Sequence, residues 1–205
     1  MGSSRNWKYI SNMEIKIKKL IGWDEVLDAA RFTVGKAPLE KEPSVIYKWR
    51  AVVSEHSPLR NLMFSIDFFD VPEWVHVHFV RHHIGVEKFV STQRTDRTGS
   101  KIPRAQHLQG ELLNFRYVIN AQAIINISKL RLCHKASKES RELWTLVVEA
   151  LKEVEPQLYT ACVPSCIYRG FCPEFPSCGY AGSINGLNHR IHYVVEMTKY
   201  LEKNF

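Results

Sequence analysis

The sequence predicts an α+β protein in which helices pack on an antiparallel sheet and a cysteine-rich appendage follows at the C-terminus. Three observations support this fold class. In residues 62–69, large apolar side chains recur at every second position, as in a half-buried strand. In residues 139–155, apolar side chains recur every three or four positions, as in an amphipathic helix. Residues 157–188 are rich in Cys, Pro, Gly and aromatic side chains.

The region before the first clear strand predicts short elements. Residues 1–20 mix Lys, Asn and Ser with isolated apolar side chains, which fits an edge strand or a loose arm. Asp24 is placed to cap a short helix over residues 25–30. Residues 35–44 contain glycine and prolines and are predicted as loop. Residues 46–53 fit either a helix or a strand.

The middle of the chain predicts a strand pair and a basic loop. Residues 74–80 again place apolar side chains at alternate positions, which predicts a second strand antiparallel to residues 62–69. Residues 70–73 would form the turn between the two strands. Residues 91–106 are polar and basic, and we expect a loop there.

The last third of the chain predicts helices. Residues 111–132 favour a helix, and the helix over residues 139–155 is expected to end at Pro156. A final amphipathic helix is predicted over residues 189–203. We therefore divide the chain into a main α+β domain, 1–156, and a cysteine-rich loop with a C-terminal helix, 157–205.

Composition narrows the class of protein. The 205 residues are 45% hydrophobic and 24% charged, as in an ordinary globular protein. The 28 basic residues exceed the 21 acidic ones, and this net charge of +7 favours anionic partners. The apolar runs are short, so we expect no membrane span and no secretory signal. Five cysteines are an odd number, which suits reduced thiols and a cytoplasmic location.

A histidine-rich cluster allows two interpretations. The cluster contains His76, His78, Arg81, His82 and His83. Imidazoles that share a strand face could bind a metal, but the Arg81 cation would oppose a divalent ion. The alternative is an anion site, because a guanidinium offers a planar fork that matches phosphate or a pyrimidine carbonyl edge.

The basic loop would extend such an anion site. It carries Arg94, Arg97, Lys101 and Arg104. A solvated basic face is the competing interpretation, and for Arg97 and Lys101 we prefer it. The sequence therefore leaves Arg94 and Arg104 as the loop residues with a candidate binding role.

Residues 81–91, RHHIGVEKFVS, resemble the signature R-H-R-x-x-S-x-N-E-x-S-x-R-Y of the flavin-dependent thymidylate synthases, the ThyX family. Arg81, His82 and Ser91 match in register. The positions that depart from the signature are His83, Val86, Lys88, Phe89, Gln93 and Arg94.

Three flanking segments extend the resemblance from Arg31 to Pro156. Residues 56–59, HSPL, resemble the start of H-E-[ST]-P-F-E-H. Residues 120–131, NAQAIINISKLR, resemble N-A-R-x-L-x-N-F-L-x-L-R with the spacing kept. Residues 29–31 resemble an early A-x-R segment.

The resemblance implies an activity and an assembly. Members of the family bind FAD and dUMP, transfer a methylene group from methylenetetrahydrofolate and reduce it with flavin that NADPH recharges, which yields dTMP. They are homotetrameric methyltransferases with active sites at subunit interfaces, and no enzyme thiol attacks the pyrimidine. No cysteine of this chain falls within the matching motifs.

The resemblance also implies roles for individual residues. The residues implied to contact FAD are Ser57, Arg81, His82, His83, Asn120 and Asn126. The residues implied to contact dUMP are His78, Ser91, Arg94, Arg104 and Arg131. Ser91 and Arg131 are the implied catalytic residues, since an enolate-like pyrimidine needs a fixed cation and arginine keeps its proton.

Each of these residues also has an ordinary structural interpretation. Arg131 could pair with Glu139 or Glu142, and Ser91 could cap a turn. Asn120 and Asn126 could be surface or packing residues. Because the motifs occur together and in the family's order, we favour the functional roles over these structural ones.

The departures from the family motifs bear on the product. They include Lys88 and Phe89 in place of Asn-Glu, and Gln122 in place of an arginine. A diverged flavin enzyme that makes another pyrimidine nucleotide, such as a 5-hydroxymethyl product, is the first alternative. The second is a basic nucleic-acid-binding protein with a zinc-stabilised tail, although the motifs make nucleic acid the less favoured partner.

The tail holds Cys162, Cys166, Cys172 and Cys178 in a segment punctuated by proline and glycine. Four close thiols could bind structural zinc or an iron–sulfur cluster. They could also be reduced cysteines that pack a loop, with Tyr168, Phe171, Phe175 and Tyr180 as a small aromatic core. Cys133 could add a ligand or simply pack.

Overall fold

A four-stranded antiparallel sheet organises the part of the chain that the structure describes. The computed structural model describes residues 13–201, apart from the side chain of Arg104. The strands are β1 (Glu14–Ile21), β2 (Met63–Pro72), β3 (Val86–Val90) and β4 (Leu112–Asn120), in the order β1-β2-β4-β3. Strand β1 lies at one edge, as one interpretation of residues 1–20 expected, and residues 1–12 lie outside the description.

Helices pack on this sheet around one apolar core. They are α1 (Trp23–Phe32), α2 (Val45–Val53), α3 (Glu73–Val77), α4 (Thr95–Thr98), α5 (Ala121–Arg131), α6 (Lys138–Val154), α7 (Pro156–Ala161), α8 (Ser165–Arg169) and α9 (Ile184–Thr198). Ile66 and Tyr117 from the sheet are fully buried in the same core as Trp144 from α6. The predicted fold class, an antiparallel sheet with packed helices, is confirmed.

The predicted strand over residues 62–69 is confirmed as β2, but its predicted partner over residues 74–80 is wrong. Both edges of β2 are taken, by β1 and by β4. The chain leaves β2 at Pro72, an extended residue, and Glu73 begins helix α3. His76 is buried on α3 with its ring centroid 4.4 Å from that of Phe115. His76 therefore does not share a strand face with His78.

The predicted helix over residues 111–132 is right only in its second half. Residues 112–120 instead form β4, which pairs with β2 on one side and β3 on the other. Buried and exposed side chains alternate along β4 because successive side chains point to opposite faces of the sheet and only one face packs on the core. The change to helix occurs at Asn120, whose side-chain oxygen accepts a hydrogen bond of 2.8 Å from the backbone N–H of Ala123. Helix α5 then continues to Arg131.

Capping residues set the other helix boundaries. Helix α6 begins after Ser137, whose hydroxyl accepts from the N–H of Ser140, close to the predicted start. Helix α1 begins at Trp23 after Gly22, so Asp24 is not its cap. The last helix starts earlier than predicted because the Ser183 hydroxyl accepts from the N–H of Gly186 at 3.1 Å. The ambiguous residues 46–53 form helix α2.

A buried carboxylate joins β1, α1 and the junction of α6 with α7. The side chain of Glu155 is 2% exposed. Its Oε1 accepts a hydrogen bond of 2.7 Å from the indole N–H of Trp23, and its Oε2 lies 2.5 Å from Nζ of Lys19. The Glu155 carboxylate thus links segments that lie far apart in the sequence.

The C-terminal segment adds a second, smaller apolar cluster. It consists of Val163, Cys166, Ile167 and Tyr193, with Cys172 and Tyr180 among the residues packed on it. Phe171 and Phe175 are exposed, so the predicted aromatic core does not include them. The division at residue 156 stays a prediction. In residues 13–201, no helix combines the length and apolar character that crossing a membrane requires.

Candidate functional site

Arg131 is the centre of the candidate site. It is the last residue of α5, and its Nε donates a hydrogen bond of 2.9 Å to Nε2 of His82. Its Nη2 donates to the backbone carbonyl of His78 at 2.5 Å, and its guanidinium lies 5.5 Å from the centre of the Phe79 ring. The ion pairs with Glu139 or Glu142 that the sequence allowed are not among the ion pairs of the described residues. Two separate motifs therefore meet in one hydrogen-bonded group.

Three cations lie close together around His82. Burial lowers the pKa of Arg131, and the charge of Arg81 lowers it further. The Lys88 ammonium donates to the Val80 carbonyl at 2.9 Å and lies near His82. None of the three cations, Arg81, Lys88 and Arg131, forms an ion pair with a carboxylate in residues 13–201. Such uncompensated positive charge favours the binding of an anion.

His82 is neutral at physiological pH. Burial lowers its pKa to about 4, and the charges of Arg131, Lys88 and His83 contribute to the shift. The hydrogen bond from Arg131 requires an unprotonated Nε2, which the lowered pKa provides. His82 can thus hold the guanidinium without adding a fourth charge.

We expect His82 to make the fold less stable in acid. Its pKa is about 4 in the folded state and near 6.5 in the unfolded chain. Between these values the unfolded chain binds the proton and the folded chain does not, so stability falls as the pH drops through this window. Going from about pH 7.5 to about pH 5, the wild type should lose about 1 kcal/mol more unfolding free energy than His82→Gln. Urea unfolding at both pH values measures this difference.

The exposed neighbour His83 provides the control for this experiment. Its Nδ1 lies 2.9 Å from the Arg81 carbonyl oxygen, outside the bond that joins His82 to Arg131. His83→Gln should keep most of the acid dependence of the wild type, because burial makes the largest contribution to the lowered pKa of His82 and the His83 charge makes the smallest. Equal acid dependence in the wild type and in His82→Gln would show that His82 is not the group responsible.

A glycine brings the two motifs into contact. Gly85 has a φ of +72°, and a Cβ there would lie 2.4 Å from Nδ2 of Asn120. The N–H of Asn120 donates to the Gly85 carbonyl at 3.0 Å, while its side-chain oxygen caps α5. Asn120 therefore has a structural role at the helix start, and the flavin contact implied for it stays a prediction.

A second polar network lies along α5. Burial would raise the pKa of Glu55, but hydrogen bonds from Lys129 and Gln122 lower it below its usual value. Lys129 also lies 3.8 Å from the centre of the Tyr168 ring, which connects α5 to α8. The Gln122 amide lies 3.4 Å from Oδ1 of Asn126, an exposed residue. The side chain of Asn126 is thus accessible on the surface of α5, where a ligand could contact it.

Ser91 and Arg94 line a different cleft of about 370 Å³. The Ser91 hydroxyl accepts from the N–H of Asn114 at 3.3 Å, and Arg94 pairs with Asp96. Two buried nitrogens without hydrogen-bond partners belong to residues that line this cleft, Nε2 of His76 and Nε2 of Gln93. The residues implied to bind dUMP are therefore divided, within one chain, between this cleft and the Arg131 cluster.

The remaining predicted site residues occupy separate positions. Ser57 begins a 3₁₀ turn, Ser57–Asn61, which packs against α5 and leaves Ser57 exposed. The side chain of Arg104 lies outside the description.

The structure separates the cysteines that the sequence grouped. Cys162 is fully buried, and burial raises the pKa of its thiol to about 12. All five cysteines are free thiols. Among residues 13–201, no three Cys, His, Asp or Glu side chains already surround a point where a metal ion could sit.

Sequence reasoning missed Lys88 as a member of the site and treated it only as a departure from a motif. In the structure, Lys88 lies near His82 and 5.9 Å from the centre of the Tyr117 ring. Its place on β3, beside Tyr117 of β4, could have been inferred only from the strand pairing.

Comparison with known proteins relates this chain to one family. No protein-family model matches it. A flavin-dependent thymidylate synthase from Clostridium tetani is 35% identical over 69 residues, which is 33% of this chain and 27% of the length of that relative.

Solved structures agree on the fold. Helicobacter pylori ThyX in complex with FAD and dUMP matches with a TM-score of 0.61 at 15% identity, covering 73% of this chain and 99% of that one. Another structure of the same protein with FAD and dUMP gives 0.60 at 16% identity, covering 74% and 99%. The resemblance found in the motifs is confirmed: the chain has the fold of these ThyX structures, and a third of it is similar in sequence to a flavin-dependent thymidylate synthase.

Proposed function

We propose that this chain is a flavin-dependent thymidylate synthase-like enzyme that methylates dUMP to dTMP, with methylenetetrahydrofolate as carbon donor and NADPH as reductant. The observation that carries the proposal is the bond between Arg131 and His82 within a group of cations that lacks a carboxylate partner. The ThyX structures that share this fold were solved with FAD and dUMP, which are both anionic.

The residues around Arg131 fit the charge and polarity of FAD. Arg81 is exposed beside Arg131, so a diphosphate could pair with it and relieve the repulsion between the two cations. The exposed amide of Asn126 can donate to a polar ring edge. When bound, FAD would supply the reducing equivalents that complete the methyl group.

Arg131 would hold the pyrimidine and stabilise its charge. Its guanidinium is fixed by His82 and by the His78 carbonyl before any ligand binds. A cation fixed in this way can face negative charge that develops on a pyrimidine carbonyl oxygen without reorganising. Because His82 stays neutral, it orients the guanidinium and leaves the net charge of the group unchanged.

A homotetramer would explain the division of the implied dUMP residues. Neither Arg131 nor His82 is among the residues that line the cleft of Ser91 and Arg94. We propose that this cleft in one subunit completes the cluster of another at a subunit interface. A cytoplasmic location would supply the nucleotide and folate.

Two departures from the family motifs favour an altered product as a second candidate. Lys88 places a cation near His82, where the family signature has an asparagine. Gln122 is held by Glu55, where the family has an arginine. Both changes lie in segments that the resemblance assigns to the flavin site. A related pyrimidine product, such as a 5-hydroxymethyl nucleotide, is therefore the alternative to dTMP.

Absorption spectroscopy and product analysis test the proposal. We expect the purified protein to bind FAD and its flavin band to shift when dUMP is added. Mass spectrometry of a reaction with methylenetetrahydrofolate and NADPH should then identify dTMP, and a 5-hydroxymethyl product would support the second candidate. A protein that neither binds FAD nor responds to dUMP would contradict both, and DNA affinity that falls steeply with salt would favour a nucleic-acid-binding role instead.

A further inference from the structure

The cysteine-rich tail folds back onto the end of α5 and meets a cysteine from outside the tail. His134 packs on Tyr180 with ring centroids 4.1 Å apart. Tyr180 also approaches His189 of α9, with its hydroxyl 3.0 Å from Nδ1. Cys133 precedes His134, and Cys178 lies two residues before Tyr180. The ring contact therefore brings the segments that contain these two cysteines together.

The other two cysteines of this group belong to the same small cluster. Cys166 is buried in it, and Cys172 packs against it together with Tyr180. The thiols are close enough to influence one another's ionisation. Cys133, Cys172 and Cys178 all lie within electrostatic range of Cys166.

Hydrogen-bond donors already point at two of these sulfurs. The hydroxyl of Ser177 and the backbone N–H of Glu174 donate to Cys172 and lower its pKa. The N–H of Lys135 donates in the same way to Cys133, although burial keeps the pKa of that thiol raised. In both cases the backbone donor lies two residues after the cysteine. Such donors stabilise a thiolate, which is the form that binds a metal ion.

Cys162 has none of the features of a ligand in this group. It is fully buried, its pKa is raised to about 12, and its polar contact is with Ser128 of α5. Cys162 belongs to the main apolar core, whereas Cys166 and Cys172 belong to the smaller cluster. The structure thus places Cys162 in the main core and Cys133 in the thiol group.

We propose that Cys133, Cys166, Cys172 and Cys178 bind one zinc ion. Four thiolates complete the tetrahedral coordination that structural zinc prefers. The loop that carries two of them, residues 170–179, has no helix or strand, and Phe175 within it is fully exposed. A loop with so little packing gains stability from a metal crosslink.

The four thiols do not yet surround one point, so binding would require their side chains to rotate inward. Cys172 is only partly buried and Cys178 is exposed, which leaves both free to turn. The ion would tie the tail to the chain two residues beyond Arg131. This would hold the end of α5, where the guanidinium is positioned.

Metal analysis of the 205-residue chain tests the proposal without flavin or nucleotide. Purified under reducing conditions, the wild type should contain about one zinc per chain and retain it against a chelator of micromolar affinity. Replacement of zinc by Co²⁺ should give the intense visible bands of tetrahedral cobalt and a strong thiolate-to-cobalt band. Cys133→Ser and Cys172→Ser should each weaken zinc binding at least about tenfold.

Cys162→Ala is the matched control, because it removes a tail cysteine that we place outside the site. It should keep the zinc content and the cobalt spectrum of the wild type. Failure of reduced wild-type protein to take up zinc or cobalt would overturn the proposal, whether or not the variants fold. Loss of zinc in Cys162→Ala with full retention in Cys133→Ser would also overturn it.

Discussion

Replacing Arg131 with alanine is expected to lower dTMP formation by about 1000-fold or more, while the protein stays folded. The guanidinium is the proposed clamp on the pyrimidine, and its two hydrogen bonds to His82 and the His78 carbonyl fix it in place. Both partners lie in partly exposed residues, so water can reach them in the variant and the loss of stability should be only about 1 kcal/mol. The measurements are dTMP formation by chromatography and unfolding by urea.

Two further variants make this result specific. Arg97→Ala removes an exposed arginine of α4 that we place outside the site, and it should keep wild-type turnover. Arg131→Lys keeps the charge but loses the planar fork, so its turnover should lie between those of the wild type and the alanine variant. Full activity in Arg131→Ala would remove Arg131 from the proposed mechanism.

Replacing Glu155 with alanine is expected to lower the free energy of unfolding by about 3 kcal/mol. The change leaves the ammonium of Lys19 and the indole N–H of Trp23 without their partner. Lys19 is 32% exposed and regains some hydration, whereas Trp23 is fully buried and cannot. Urea unfolding followed by tryptophan fluorescence measures the loss.

Glu153, in the last turn of α6, provides the comparison, since it is exposed and belongs to no ion pair among the described residues. Glu153→Ala should change stability by less than about 0.5 kcal/mol. Glu155→Gln retains an oxygen that can accept a hydrogen bond from Trp23. Its loss of unfolding free energy should therefore lie between those of Glu155→Ala and Glu153→Ala. Equal losses in the Glu155 and Glu153 alanine variants would mean that the buried carboxylate does not stabilise the fold.

Local patterns predicted well where the pattern itself determines burial. The apolar alternation in residues 62–69 identified β2, and the apolar spacing in residues 139–155 identified α6. The alternation in residues 74–80 misled, because both edges of β2 were already paired and the chain formed a short helix instead. A period of two shows which side chains share a face only when a neighbouring strand exists.

The candidate site shows the same division between local and distant information. The motif matches identified Arg81, His82 and Arg131 from their order and spacing. They could not reveal that Arg131 donates to His82, or that Lys88 lies beside the pair. The close spacing of the tail cysteines grouped Cys162 with the other three, although it lies in the main core.

The sequence by itself determined the fold class and the resemblance to the ThyX family, and it proposed Arg81 and Arg131 for the candidate site, because periodicity, composition and motif spacing are local properties. Only the tertiary structure decided the partners of β2, the hydrogen bond that fixes Arg131, and the cysteines that lie together. These depend on contacts between residues far apart in the chain, such as the 49 positions between His82 and Arg131. Packing of the whole core selects such contacts, and no local pattern contains them.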